Sequence, residues 1–223
     1  MIFLKTDIEL KLRDFRALDE KGNQLIRKIN SFIKSKDSIN SFNYNLLNLN
    51  KVYHINHIKK ICIDYRLRFL DIKYFKGVIP ELAYNKINDL KIVHNTSLKD
   101  FKIMAPSKLF KLNKTDDPLL FVPIGNNYYY LIHKWGNDLN PFRKILMWPL
   151  KKFLNLLFSV LLISIIITVI IPIKLFSEND NLSEFFMLFF FIFKSVIAIV
   201  VFYGFALGKN FNMYIWNSRY NKS

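Results

Sequence analysis

The chain has 223 residues, of which 52% are hydrophobic, and its formal net charge at pH 7 is +16. The single cysteine, Cys62, excludes an intrachain disulfide framework, and six glycines in all argue against a glycine-rich dinucleotide-binding loop. The excess of positive charge favours an anionic partner, either nucleic acid or acidic lipid headgroups, although codon bias in an AT-rich genome produces the same Lys- and Asn-rich composition.

The first part of the chain changes its hydrophobic periodicity along its length. Residues 7–20 and 24–35 place apolar side chains at helical spacing and are predicted to be helices. The Asn-rich segment 38–50 is predicted to be a loop or linker. In ICIDYRLRF, residues 61–69, apolar and polar residues alternate, which predicts a half-buried strand.

The pattern continues with a helix and several strands. Pro80 opens a predicted helix over residues 80–94, and residues 101–105 are predicted to be a short strand. Two apolar runs flank a Gly-Asn-Asn turn within residues 117–135, which predicts a β-hairpin. Pro118 and Pro123 in the first run predict that this strand lies at a sheet edge.

The order of these elements predicts a small cytoplasmic α+β domain with a largely antiparallel sheet, over residues 1–145. The remainder, residues 146–223, is predicted to be a C-terminal transmembrane hairpin of two helices with a short cytoplasmic tail. The spans, residues 153–175 and 185–207, are long enough to cross a hydrocarbon core of about 30 Å with some tilt.

Charge near the spans predicts their orientation. The connection SENDNLSE, residues 177–184, carries three acids and no Lys or Arg, whereas Lys and Arg residues precede the first span and follow the second. Since such residues mark the cytoplasmic side, both termini are expected inside the cell. The predicted location is the inner membrane, as a multi-pass protein.

Lys194 is the only charged residue in the second span. A lysine at the centre of a membrane helix costs about 2.5 to 3.5 kcal/mol on insertion scales, so it is expected to have a role. The alternative is a lysine without a function that is neutral or is tolerated through thinning of the bilayer. Antiparallel pairing of the spans would place Lys194 level with Ser164 and Thr168, which are hydroxyl acceptors rather than acids. We therefore expect Lys194 to face a homo-oligomer or another membrane subunit.

A second candidate surface is basic and lies in the cytoplasmic domain. Its members are Lys59, Lys60, Arg66, Arg68, Lys73 and Lys76. This patch is predicted to dock on anionic headgroups of the bilayer or on a protein partner. Nucleic-acid binding is possible but is not favoured, because a patch tethered beside a bilayer has a simpler partner.

Local motifs do not assign a catalytic, cofactor-binding or metal-binding residue. His54 and His57 share a helical face but lack the further ligands that a metal requires. Asp116 and Asp117 could pair as acid and base, although an acidic pair before a proline is typical of a turn. Cys62 and His133 have no evident catalytic partner.

These features favour a non-enzymatic sensor, effector or accessory subunit with a membrane-tethered cytoplasmic domain, and no cofactor is predicted. The alternative is a membrane-tethered enzyme that acts on an anionic substrate, either a nucleotide or a phospholipid.

Overall fold

A computed structural model describes residues 5–18, 40–43, 46–106, 117–172, 181–206 and 216–217. The chain separates into two compact units between Lys144 and Ile145. Trp216, which lies in the predicted tail of the second unit, belongs instead to the first, where it packs against buried apolar residues. The predicted helix 24–35 and Asp116 lie outside the described residues.

The first unit begins with helix α1, Ile8–Leu18, as predicted. Asp7 caps its start, because Asp7 Oδ1 accepts hydrogen bonds from the backbone N–H of Glu9 at 2.8 Å and of Leu10 at 3.4 Å. Just before the cap, Thr6 forms an isolated antiparallel bridge with Leu139. The N-terminal segment is thus tied to a distant part of the unit.

A five-stranded sheet forms the centre of the first unit, in the spatial order β1-β5-β4-β3-β2. All four neighbouring pairs are antiparallel, which confirms the predicted α+β fold with an antiparallel sheet. The strands are β1 Val52–His54, β2 Leu67–Asp71, β3 Lys102–Pro106, β4 Leu119–Gly125 and β5 Tyr128–Lys134.

The strand predicted over residues 61–69 is wrong for its first half. Helix α2, Ile55–Tyr65, occupies that half, and strand β2 begins only at Leu67. The buried side chains of α2 include Ile58, Ile61, Cys62 and Tyr65, which have helical spacing. Arg66 then ends the helix in a left-handed conformation, with φ of 51°. Residues 61–65 therefore fit two patterns at once, the alternation of a strand and the spacing of a helix.

Helix α3, Glu81–His94, follows Pro80 as predicted, and strand β3 confirms the short strand predicted after it. α3 covers one face of the sheet, where its Ala83 and Ile87 pack in a cluster with Leu120 and Val122 of β4. Helices α1 and α2 cover the other face, where they pack with Leu119 and Phe121. Alternate residues of β4 thus enter opposite cores.

The described residues of the Asn-rich segment, 40–43 and 46–50, contain no α-helix or strand and end in the short 3-10 helix Leu49–Lys51. They contribute to the core of the first unit and are therefore not a linker. Phe42 and Leu47 are buried in the same cluster as α3. The Asn40 side-chain amide donates hydrogen bonds to the backbone carbonyls of Lys99 at 3.1 Å and Pro123 at 2.9 Å. These contacts hold the segment against the sheet.

The predicted hairpin is confirmed as β4 and β5, joined at Asn126 and Asn127, which both have positive φ. The predicted edge position of its first strand is wrong, because β4 lies between β3 and β5. Pro123 is tolerated there because β3 pairs only with Leu119–Phe121 and the register with β5 shifts at a bulge after Pro123. The missing N–H of Pro123 therefore breaks no bond to β3.

A short helix, α4 Arg143–Met147, spans the boundary between the two units. The second unit contains helices α5, Phe153–Ile170, and α6, Leu182–Ala206, which pack against each other. Both are long and apolar enough to cross a membrane. Only 17% and 11% of their most apolar windows are buried, unlike the core helices of a soluble protein.

Candidate functional site

The first unit brings one lysine and three aspartates from separate segments together, and we call this group the Lys134 cluster. Asp7 precedes α1, Asp117 precedes β4, Lys134 ends β5 and Asp138 follows it. Backbone pairing positions them, because Leu119 lies opposite Lys134 in the sheet and Asp117 N–H donates to the carbonyl of Asn137 at 3.0 Å.

The ammonium of Lys134 lies at the centre of the Lys134 cluster. Its Nζ is 2.7 Å from Asp7 Oδ1, 2.8 Å from Asp138 Oδ1 and 3.7 Å from Asp117 Oδ1. One oxygen of each carboxylate lies within 4.8 Å of the others, a spacing that could hold a metal ion. Because the ammonium already contacts all three carboxylates, lysine is the cation that this arrangement accommodates.

Asp117 is the unusual member of the cluster. Its side chain is completely buried, and its Oδ1 lies 3.7 Å from the Lys134 ammonium. Burial raises the pKa of Asp117 to about 7, and the carboxylates of Asp138 and Asp7 add to this rise. The charge of Lys134 and a hydrogen bond from the backbone N–H of Ile8 oppose it. Asp117 can therefore bind and release a proton near neutral pH.

The pKa values of Asp7 and Lys134 shift in the direction that favours their charged forms. Burial acts to raise the pKa of Asp7, but the hydrogen bond and charge of Lys134 outweigh it, so the pKa is lowered. Burial acts to lower the pKa of Lys134, but its hydrogen bonds to Asp138 and Asp7 outweigh it, so the pKa is raised. The cluster thus combines the ion pair of Lys134 and Asp7 with one carboxyl, that of Asp117, whose pKa lies near neutral pH.

Sequence reasoning noticed Asp117 but not its partners. The pairing of Asp117 with Asp116 concerns a residue outside the described part of the chain. Lys134, Asp138 and Asp7 contact Asp117 only after the sheet and the N-terminal bridge have formed. The pair Asp116 and Asp117 before Pro118 was the local sequence feature that drew attention to Asp117.

In the second unit, Ser164 and Thr168 are fully buried. Their hydroxyls donate to backbone carbonyls one turn earlier, to Val160 at 2.8 Å and to Ser164 at 2.7 Å. Lys194, by contrast, is exposed, and within the described residues its ammonium has no hydrogen-bond or ion-pair partner. The structure therefore does not bring Lys194 to the two hydroxyls.

The residues of the predicted basic patch differ in exposure. Arg68 is 3% exposed and Arg66 is half-buried, and burial lowers the pKa of both guanidinium groups. The four lysines, by contrast, are all exposed: Lys59, Lys60, Lys73 and Lys76. A docking surface in this region would therefore consist of lysines, with the arginines beneath it.

The histidines and the cysteine have structural surroundings. His54 Nδ1 accepts a hydrogen bond from Asn56 N–H at 3.2 Å and so caps α2, with its ring centroid 6.3 Å from that of His57. His133 stacks on Trp135 and accepts from Lys86 Nζ at 3.0 Å. Cys62 is completely buried, which raises the pKa of its thiol and disfavours the reactive thiolate.

Comparison of the chain with protein-family models, curated proteins and solved structures finds no match. The class of protein is therefore defined by the architecture itself. It is an α+β domain with a five-stranded antiparallel sheet, followed by two apolar helices that are long enough to cross a membrane.

Proposed function

We propose that the protein is an integral inner-membrane protein in which α5 and α6 anchor the α+β domain on the cytoplasmic side. The observation that carries this proposal is the exposure of apolar side chains around both helices, for example Leu154, Ile166, Phe191 and Phe202. Exposure of this apolar surface to water would cost about 25 cal/mol of free energy for each Å². A hydrocarbon core removes that cost.

The charges that flank the helices support cytoplasmic termini. Lys151 and Lys152 precede α5, and Lys209 follows α6, whereas residues 177–184 contain three acids and no Lys or Arg. Lys174 is the one basic residue between the two helices. The excess of Lys and Arg near membrane helices marks the cytoplasmic side. In this orientation the domain and its lysines lie on the side of the anionic leaflet.

We further propose that the protein acts as a non-enzymatic sensor, effector or accessory subunit. The Lys134 cluster favours the sensor role, since Asp117 changes charge near neutral pH at a point where α1 meets the sheet. Attraction of Lys59, Lys60 and Lys73 to anionic headgroups, at about 1 kcal/mol for each basic residue near the surface, would hold the domain against the bilayer.

Membrane fractionation tests the proposal directly. The protein should remain in the membrane pellet after alkaline carbonate extraction. A tag inserted in residues 177–184 should be cleaved by protease only from the periplasmic side, and an N-terminal tag only in inside-out vesicles. Release into the soluble fraction would overturn membrane anchoring, and the reverse pattern of cleavage would overturn the orientation.

A further inference from the structure

Lys194 occupies a central and outward position in α6. It is the middle residue of the 25 that form Leu182–Ala206, so each end of the helix is about 18 Å away at 1.5 Å per residue. A lysine stem covers only part of that distance. If α6 spans a bilayer, as proposed above, the ammonium lies near the centre of the hydrocarbon.

The face that carries Lys194 points away from α5. The buried residues of α6, Leu188 and Ile192, are the ones that face the packed side of the helix pair. Lys194 comes two positions after Ile192, which corresponds to a rotation of about 200° around the helix axis. Lys194 therefore lies on the side of α6 that the helix pair leaves uncovered.

The neighbours of Lys194 on this face form a continuous stripe. Met187, Phe190, Ala198 and Val201 lie one or two turns away at spacings of four and seven residues, and all are exposed. Ala198, one turn from Lys194, is small enough for another helix to approach closely. We call this set, with Lys194, the Lys194 stripe.

Neither of the two apolar spans contains a counter-charge for Lys194. Residues 153–175 and 185–207 contain no Asp or Glu, and the hydroxyls of Ser164 and Thr168 are buried on their own helix. A second copy of the chain would bring another lysine to the same depth, and no carboxylate. Buried membrane charges characteristically face a protein interior or pair with one another.

We propose that the Lys194 stripe docks on a transmembrane helix of a different protein that carries an Asp or Glu at the same depth. The proposal rests on the membrane anchoring argued above. The carboxylate accepts a charge-assisted hydrogen bond from the ammonium, and Ala198 lets the two helices approach. The protein is then one subunit of a membrane complex assembled through an intramembrane ion pair.

Site-specific photocrosslinking in cells of the natural host tests this pairing. Phe190→p-benzoylphenylalanine places the probe on the Lys194 stripe, one turn from the lysine, and Ile166→p-benzoylphenylalanine places it on an exposed apolar position of α5 as a control. The expected result is an adduct from position 190 whose partner, identified by mass spectrometry, contains an acid within a membrane segment. Lys194→Leu should reduce this adduct about tenfold or more, whereas Lys194→Arg should retain most of it.

A charge exchange completes the test. Lys194→Glu should lose the adduct, and replacement of the partner's acid by lysine should restore it. The pairing would be overturned if position 190 gave no adduct, or an adduct between two copies of this chain. It would also be overturned by a partner without an intramembrane acid, or by equal amounts of adduct from Lys194→Leu and the parent. Carbonate extraction of every variant separates this outcome from failure of membrane anchoring, which would release the chain into the soluble fraction.

Discussion

Lys134 Nζ lies 3.7 Å from Oδ1 of Asp117, a carboxylate that is completely buried. The same ammonium contacts Asp7 and Asp138 at less than 3 Å. One side chain at the end of β5 therefore joins the start of α1, the start of β4 and the segment that follows β5. The stability of this junction should depend on the lysine charge and on the proton of Asp117.

Lys134→Met should strongly destabilise the first unit. The substitution keeps the length of the side chain but leaves three carboxylates close together without a cation, and removal of one partner from a buried ion pair costs about 3 to 5 kcal/mol. Denaturant unfolding followed by tryptophan fluorescence measures the change. Lys102→Met is the matched control, because Lys102 is also a strand lysine but pairs with one partly exposed aspartate, Asp71. An equal loss in the two variants would contradict a special role for the Lys134 cluster.

Asp117→Asn should weaken the dependence of stability on pH. The folded-state pKa of about 7 lies above the ordinary value of 3.8, so the folded state holds this proton more strongly. The resulting stabilisation is complete below pH 3.8 and is lost as pH rises through about 7; it amounts to at most about 4 kcal/mol. The parent should therefore lose more unfolding free energy than the variant between pH 5 and pH 8.

The difference between the pH profiles of the parent and Asp117→Asn reports the proton of Asp117 alone. Burial lowers the pKa of His94 and His133, which makes stability rise with pH near pH 6.5, but both proteins contain these histidines. The lowered pKa of Asp7 acts at more acidic pH, because its stabilisation is present above 3.8 and is lost as pH falls. Parallel pH profiles for the parent and Asp117→Asn would show that Asp117 is ionised throughout the range.

Local chemistry was sufficient to predict the elements whose signals lie within a few residues. The turn at Asn126 and Asn127 fixed the hairpin, and Pro80 marked the start of α3. Residues 61–65 were misassigned because alternation and helical spacing coexist there, and packing against α1 selects the helix. A short window of sequence does not contain the information needed for that choice.

The candidate sites also differ in whether their sequence signal is local. Lys194 could be identified from the sequence because an isolated charge in an apolar span is a local feature. The Lys134 cluster could not, because its members come from the N-terminus, a strand entry and a strand exit that only the folded sheet brings together. The burial of Arg68 could not be predicted either, because it depends on the place of β2 in the folded sheet; docking through the basic patch stays a prediction.

Ser164→Leu should weaken the packing of α5 and α6. Ser164 is completely buried, and a leucine at this position would push the two helices apart, at a cost of about 1 to 3 kcal/mol. Ser195→Leu is the matched control, because Ser195 also donates to a backbone carbonyl one turn earlier, that of Phe191 at 2.9 Å, but is exposed. Unfolding of the detergent-solubilised protein by dodecyl sulfate, followed by circular dichroism, should show a lower midpoint for Ser164→Leu alone.

Replacement of both Lys59 and Lys60 by serine should weaken contact of the cytoplasmic domain with anionic lipid. Both lysines are exposed on α2, and each basic residue near a charged surface contributes about 1 kcal/mol, so the pair contributes about 2 kcal/mol. The full chain is reconstituted in nanodiscs with and without anionic lipid, and hydrogen–deuterium exchange of residues 55–65 is measured. Anionic lipid should slow exchange in the parent but not in the double variant.

Lys91→Ser, which removes an exposed lysine from α3 on the opposite face of the sheet, should behave as the parent does. Equal protection of α2 in the parent and the double variant would assign membrane docking to another surface.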